Sequence, residues 1–410
     1  MPNLRWLITE LARRLWVRAS IFAVAGIFTA VIGIALAPLI PAGWSGRIGA
    51  DSVDNVLQIL ASSMLAVTTF SLATMVSAYA TASSATTPRV AELLIQDSSA
   101  QNALGTFVGS FLFSLVGIIA LNAGVYGASG RVVLFVGTIG VIAVIVVTLL
   151  RWIDLLARFG RVGDAIDRVE AAAMQAMRAR WKQPCIGARM RAGPAPTVAA
   201  VTSAKIGYVQ HIDVEALEHL AAAAGGEIHV DALPGAFVDT ARPIAWLDFT
   251  PDEATRAAVC AAFNVGARRS FDQDPRFGLI VLSEIASKAL SPAINDPGTA
   301  IATMAALVRV LAILAEPREA ESEIFHPHVF IPALAVEDLF DDAFSPISES
   351  GAGTLAVGIR LQKTLRALSA FHHPEFRAAA RHQSRLALAR ARHALALAED
   401  VAGLAHEAVA

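Results

Sequence analysis

The chain has 410 residues, 55% of them apolar and 17% charged, with a mean hydropathy of +0.55 and a formal net charge of −2. An average soluble domain is about 45–50% apolar even with glycine counted, and about 25% charged. This balance excludes a disordered chain, a collagen-like chain and a disulfide scaffold, leaves no basic bulk for nucleic acid, and argues against a wholly soluble protein.

The apolar excess sits at the amino end. No charge falls between Arg18 and Arg47, and Ile21 to Pro41 is almost entirely apolar. Uncharged runs of 34, 33 and 19 residues follow, between Asp54 and Arg89, Asp97 and Arg131, and Arg131 and Arg151. A hydrocarbon core of about 30 Å takes about 20 helical residues, so four membrane spans are expected. The first follows Arg5, Arg13, Arg14 and Arg18 with no clear small-residue cleavage site, and reads as an uncleaved anchor. Arg151, Arg158, Arg161 and Arg168 follow the fourth, while the two opposite loops hold only Arg47 and Arg131. Positive charge stays on the cytoplasmic side, so a multi-pass bacterial inner-membrane protein with both termini cytoplasmic is expected. The outer loops, Gly43–Asp54 and Gly127–Gly130, are too short for an external domain.

The second span is too long and too rich in hydroxyls for a plain anchor. Thirty-four uncharged residues make a helix of about 50 Å. At helical spacing Ser63, Phe70, Thr74, Ser77, Thr81 and Ser84 share one face. Hydroxyls suit a wet path, because lipid cannot replace an ion's hydration shell, and a ring of Phe70 side chains would close such a path by dewetting. The competing explanation is helix packing, in which small hydroxyl residues let helices approach and bond to their own backbone. Spans one and three carry small-residue stripes, Gly26, Ala30, Gly33 and Ala37 on one and Gly105, Gly109 and Gly117 on the other, which suit close helix contact. No Asp, Glu, Lys, Arg or His lies within the spans, which argues against a proton-coupled pump or a voltage sensor.

After Arg151 charge returns, and no later run is expected to span. Trp152 to Trp181 reads as an amphipathic continuation of span four, and Gly193 to Val201 as a linker. Strands are expected at Gly207–Asp213, Glu227–Val230, Ala236–Val238 and Pro243–Leu247, with a short helix at Val214–Ala224 ending on Gly225-Gly226. The pattern resembles a small barrel-sandwich module, without the exposed hairpin Lys of a lipoyl carrier. Asp274-Pro275 and Asp296-Pro297 each open a helix, to about Leu290 and Ala315, since Asp caps free N–H groups and Pro suits the first turn. Ser291, Asn295 and Asp296, on the loop between them, form either a ligand or interface loop or a self-capped hairpin. His326, His328, His372 and His373 read as surface loop residues without metal-site spacing, and the two cysteines, Cys185 and Cys260, set no metal or disulfide pattern. A last helix is expected from about Pro374 to Ala405. Its Arg377, Arg381 and Arg385 would meet the acidic Asp338–Asp342 segment, a neighbouring subunit or solvent.

The fold class is therefore four transmembrane helices plus a cytoplasmic α+β domain. Its parts are a transmembrane domain over 1–151, a connector over 152–190, a β-rich module over 201–250 and a mainly helical domain over 251–410. Ser63–Ser71, Thr87-Pro88-Arg89, Gly207–Asp213, Pro234–Val238, Gln273–Leu279 and Ser291–Pro297, in that order, resemble the bacterial predicted membrane proteins of domain-of-unknown-function family 2254. The resemblance covers nearly the whole chain. It implies a membrane protein with a fused soluble domain and no particular activity, so no functional residue is carried over. Thr240-Ala241-Arg242 departs from the Gly turn expected there and weakens the barrel-sandwich analogy. No nucleophile–base pair, P-loop or dinucleotide fingerprint points to an enzyme, and no cofactor is expected. The functional expectation is a homo-oligomeric channel or passive transporter for an ion or small solute, gated or assembled by its cytoplasmic domain. The alternative is a membrane-anchored scaffold or ligand sensor.

Overall fold

The computed structural model describes residues 15–36, 50–95, 97–126, 128–158, 160–196, 198–317 and 323–409. The chain divides into two compact units between Asp164 and Ala165.

The first unit is helical: α1 (Leu15–Leu36), α2 (Ala50–Ala85), α3 (Pro88–Ile95), α4 (Ser98–Asn122) and α5 (Ala128–Arg158). α4 is the central helix and packs against α1, α2 and α5. Its glycines explain the closest crossing. A Cβ at Gly26 of α1 would strike the Gly109 carbonyl, and one at Gly105 would lie 2.7 Å from the Phe22 ring. Gly117 receives Leu57 of α2 and Leu134 of α5. The small-residue stripes are thus used within the protomer. Gly33 lies in α1, and Ala37 lies outside the described residues. α2 presents Val53, Leu57, Leu60, Met64, Ser71, Met75 and Ala82 to the other helices, a stripe at helical period. The chain leaves α2 at Thr87-Pro88, and Asp97 restarts it by accepting the Ser99 and Ala100 amides.

Among the described residues, four stretches can cross a membrane by length and apolarity: Ser52–Ala85, Ser98–Asn122, Gly130–Arg158 and Pro297–Ala315. The apolar part of α1 among the described residues, Ala19–Ile32, is shorter. The fourth stretch corrects the expectation that nothing after Arg151 is span-like. It lies in the second unit, whose core covers it.

α6 (Val162–Lys182) follows α5 after Gly160, whose φ of +82° breaks the continuous helix expected from Trp152 to Trp181. Trp152 is buried in the first unit, whereas Val169, Ala173 and Met177 are buried along α6. The second unit then alternates strands and helices: β1 (Ala188–Met190), β2 (Ala199–Thr202), β3 (Gly207–Ile212), α7 (Val214–Ala224), β4 (Ile228–Val230), β5 (Phe237–Val238), β6 (Pro243–Leu247), α8 (Glu253–Ala261) and β7 (Phe263–Gly266). Next come α9 (Pro275–Ala289), α10 (Pro297–Ala312), β8 (His326–Ile331), α11 (Val336–Ser350), α12 (Leu355–Ser369), α13 (Phe376–Ala394) and α14 (Ala398–His406). The last helix expected from Pro374 to Ala405 is thus two, separated at Leu395–Leu397.

The strands form a five-stranded mixed sheet, β1-β8-β4-β6-β2, and a three-stranded antiparallel sheet, β5-β3-β7. This replaces the barrel-sandwich expected over 201–250, because β1, β7 and β8 come from outside that range. His326 and His328 lie on β8, between β1 and β4, rather than on a loop, and Glu218 accepts from the His328 backbone N–H at 2.9 Å. Leu217, Ile228, Val230, Leu247, Val329 and Ile331 fill the β core.

α9 packs on α10 and α11. Its Leu279, Val281, Leu282 and Ile285 are buried, each worth about 1.5–3 kcal/mol by area. α10 buries Ala300, Met304, Leu307, Val310 and Leu311 in the same unit, and its Arg309 grips Glu170 of α6 with two bonds, of 2.5 and 2.6 Å.

Candidate functional site

The second helix sets the geometry of the candidate path. Its packed stripe and its hydroxyl face lie about a third of a turn apart. Ser63, Phe70, Ser77, Thr81 and Ser84 are exposed on the protomer and Thr74 is half-buried. Phe70 is 69% exposed, and Ile59, about three turns before it, is 67% exposed. The hydroxyls bond backward along their own helix. Ser63 donates to the Leu60 carbonyl, Thr74 to Phe70, Thr81 to Ser77 and Ser84 to Thr81, at 2.8–3.2 Å. A hydroxyl satisfied this way needs no second helix and keeps its oxygen as an acceptor. Ser71, by contrast, is buried in the packed stripe.

The loop from Ser291 to Asp296 closes on itself. The Ile294 and Asn295 amides donate to the Ser291 carbonyl, and the Asp296 amide to Ala289. Asn295 takes a left-handed φ of 50°. Asp296 accepts from both the amide and the hydroxyl of Thr299, at 3.0 and 2.6 Å, and the hydroxyl leads in holding its carboxyl below the usual value. Both carboxylate oxygens are engaged in capping α10.

Three other motifs of the sequence meet in one polar junction that spacing did not reveal. Gln273 docks on the end of β3: its Oε1 accepts from the Ile212 amide at 2.9 Å and its Nε2 donates to the Ile212 carbonyl. Asp274 caps α9 through the Arg276 and Phe277 amides and pairs with Arg269 at 2.7 Å. The Arg269 guanidinium lies 5.4 Å over the Phe277 ring. The Pro234-Gly235 turn leans on this pair. Gly235 has a φ of +90°, and a Cβ there would strike the Asp274 carboxylate. Only glycine serves at that point. Arg180 of α6 donates to the Gln273 carbonyl at 3.2 Å.

Burial raises the Asp274 carboxyl, with Arg269 opposing, and burial lowers Arg180, with Cys185 and Asp274 opposing. Asp274 is 1% exposed. The junction is a buried lock that joins the three-stranded sheet, α6 and α9. The Asp274-Pro275 cap was legible beforehand. Arg269, Arg180 and Gly235 were not, because their partners lie 5 to 93 residues away.

The acidic Asp338–Asp342 segment meets Arg276, which holds Asp342 at 2.6 and 3.2 Å and Asp338 at 2.6 Å. Arg276, which spacing did not single out, is thus a partner of this segment. Gln383 of α13 donates to Asp341.

Comparison with known proteins agrees with this architecture. Over 115 residues the chain is 33% identical to an uncharacterized protein of Mycobacterium bovis and, to the same degree, to one of Mycobacterium tuberculosis. These matches take in 27% of this chain and 22% of each relative, so the chain spans only about a fifth of the curated relatives it matches. No solved structure matches it. The family model described as predicted membrane protein, domain of unknown function 2254, matches residues 12–367, from the first apolar helix into α12. With both its apolar helices and its β–helix junction inside that match, the chain belongs to this family of predicted membrane proteins.

Proposed function

We propose that the chain assembles into an oligomeric passive channel in the bacterial inner membrane, with its termini and second unit cytoplasmic. The Ser63, Thr74, Ser77, Thr81 and Ser84 face of α2 lines the path, and Phe70 constricts it. The second unit assembles or gates the pore. One observation carries this reading: the protomer's own helices pack on a different stripe of α2 and leave Phe70 and all of the hydroxyl face but the half-buried Thr74 exposed. Packing inside the protomer therefore does not account for the hydroxyls. A face with acceptor oxygens and one large ring suits water or an ion in transit, closed by dewetting. The orientation rests on the arginines that flank spans one and four.

The test is flux through purified protein in liposomes. Phe70→Ala is expected to raise passage of a small ion or neutral solute several-fold over the native chain. If both proteins stay tight to potassium, sodium, chloride and glycerol, the channel reading fails and the spans serve as an anchor.

A further inference from the structure

The three-stranded sheet of the second unit has two unlike faces. Val209, Val238, Phe263 and Val265 point into the β core. The outer face carries Ile206 and Tyr208 at and before β3, and Phe237 on β5. Ile206 is 67% exposed and Phe237 is 51% exposed. Tyr208 and Phe237 are register partners whose rings meet edge to face at 5.3 Å. Further along this face, Gln210 and Asn264 bond to each other at 3.2 Å, so its apolar part is confined to one end.

Exposed cations surround that end. Lys205 precedes Ile206, Arg242 ends the turn that follows β5, and Arg268 lies two residues past the Tyr208 partner Gly266. Asp239, a carboxylate in this rim, accepts from the amides of Ala241 and Arg242, both at 2.7 Å, and feels the charge of Arg242. The patch thus combines two aromatic rings, one of them a tyrosine, an aliphatic side chain and three cations.

We infer that this end of the sheet docks on an anionic lipid surface. An amphipathic ring such as Tyr208 sits well at headgroup depth, apolar neighbours enter the acyl boundary, and each nearby cation gains from an anionic leaflet. The chain carries its own membrane helices, so the bilayer is tethered to the patch and docking needs little affinity. This inference is independent of whether the chain conducts.

The test uses the full chain in nanodiscs holding one copy each. An environment-sensitive fluorophore is placed on Ala204→Cys, beside the patch, with Cys260 replaced by serine and the buried Cys185 left in place. In discs containing phosphatidylglycerol, the emission is expected to shift to the blue and to be quenched by brominated lipid, and in phosphatidylcholine alone much less. Neutralising Lys205, Arg242 or Arg268 is expected to weaken docking about fivefold per charge. Ile206→Ser with Phe237→Ser is expected to abolish it. Water-like emission in both lipids overturns the inference. A blue shift that arises only when two copies share a disc also overturns it, and assigns the patch to a contact between copies.

Discussion

His211 lies on β3, two residues before the cap of α7, and burial holds its imidazole below its ordinary value of 6.5, against the pull of Asp213 and Asp272. As the pH falls through 6.5, the unfolded chain binds a proton that the folded chain still refuses. Stability from this group is full above 6.5 and is lost as the pH falls from there toward the folded value. His211→Asn is expected to flatten that part of the curve, measured as the difference in urea midpoint between the two proteins from pH 7 downward. Asp274 and Asp296 as caps and Gly225 as a helix end were legible in the sequence, because such a device is local and its partners lie two to four residues away; Asp213, expected as the end of a strand, also caps a helix. The burial of His211 and the clasp of Gly235 on Asp274 were not legible, since each depends on a chain segment far off in sequence.

Helices with strong punctuation were readable nearly to their ends: α7 runs over the expected Val214–Ala224, and α9 and α10 begin beside the expected Asp. β1, β2, β7 and β8 were not. They have three to six residues, and their pairing runs from Ala188 to His326 and from Ile228 to Val329, separations at which the alternation of a short strand says nothing about a partner. The same holds for α9 and α11, which Arg276 joins. Its planar fork fits Asp342, a carboxylate largely out of solvent, whereas the more exposed Asp338 contributes little. Arg276→Ala is expected to cost about 1–2 kcal/mol, read as a lower urea midpoint. Adding Asp342→Asn should recover part of that loss, because no unpaired carboxylate then remains between the helices.

The boundary of the two compact units falls between Asp164 and Ala165, thirteen residues past Arg151, where charge returns to the sequence. Apolarity alone misjudges α10. It has the length and hydropathy of a span, yet α9 and α12 cover it and Glu170 takes its arginine. A chain begun at Val162 is therefore expected to be folded and water-soluble. Sedimentation after detergent-free expression, with a cooperative thermal melt, checks this. Partition into membranes would show that α10 is not held by the unit's own core. The uncovered side of α2 was the least legible feature of the candidate site, because a helix's pattern shows that two faces differ but not which one its neighbours take.

The close glycine crossing of α1 on α4 also bears on how the chain is made. α1, made before α4, finds its tightest partner in a helix whose last residue, Asn122, is made well after Leu36. At about 5–20 residues per second, that delay is on the order of 4–17 s. During it, α1 waits with Gly26 and Phe22 unmatched, open to lipid or to an insertion factor. The glycine face that makes the finished bundle tight thus has no matching surface in the chain until α4 is made.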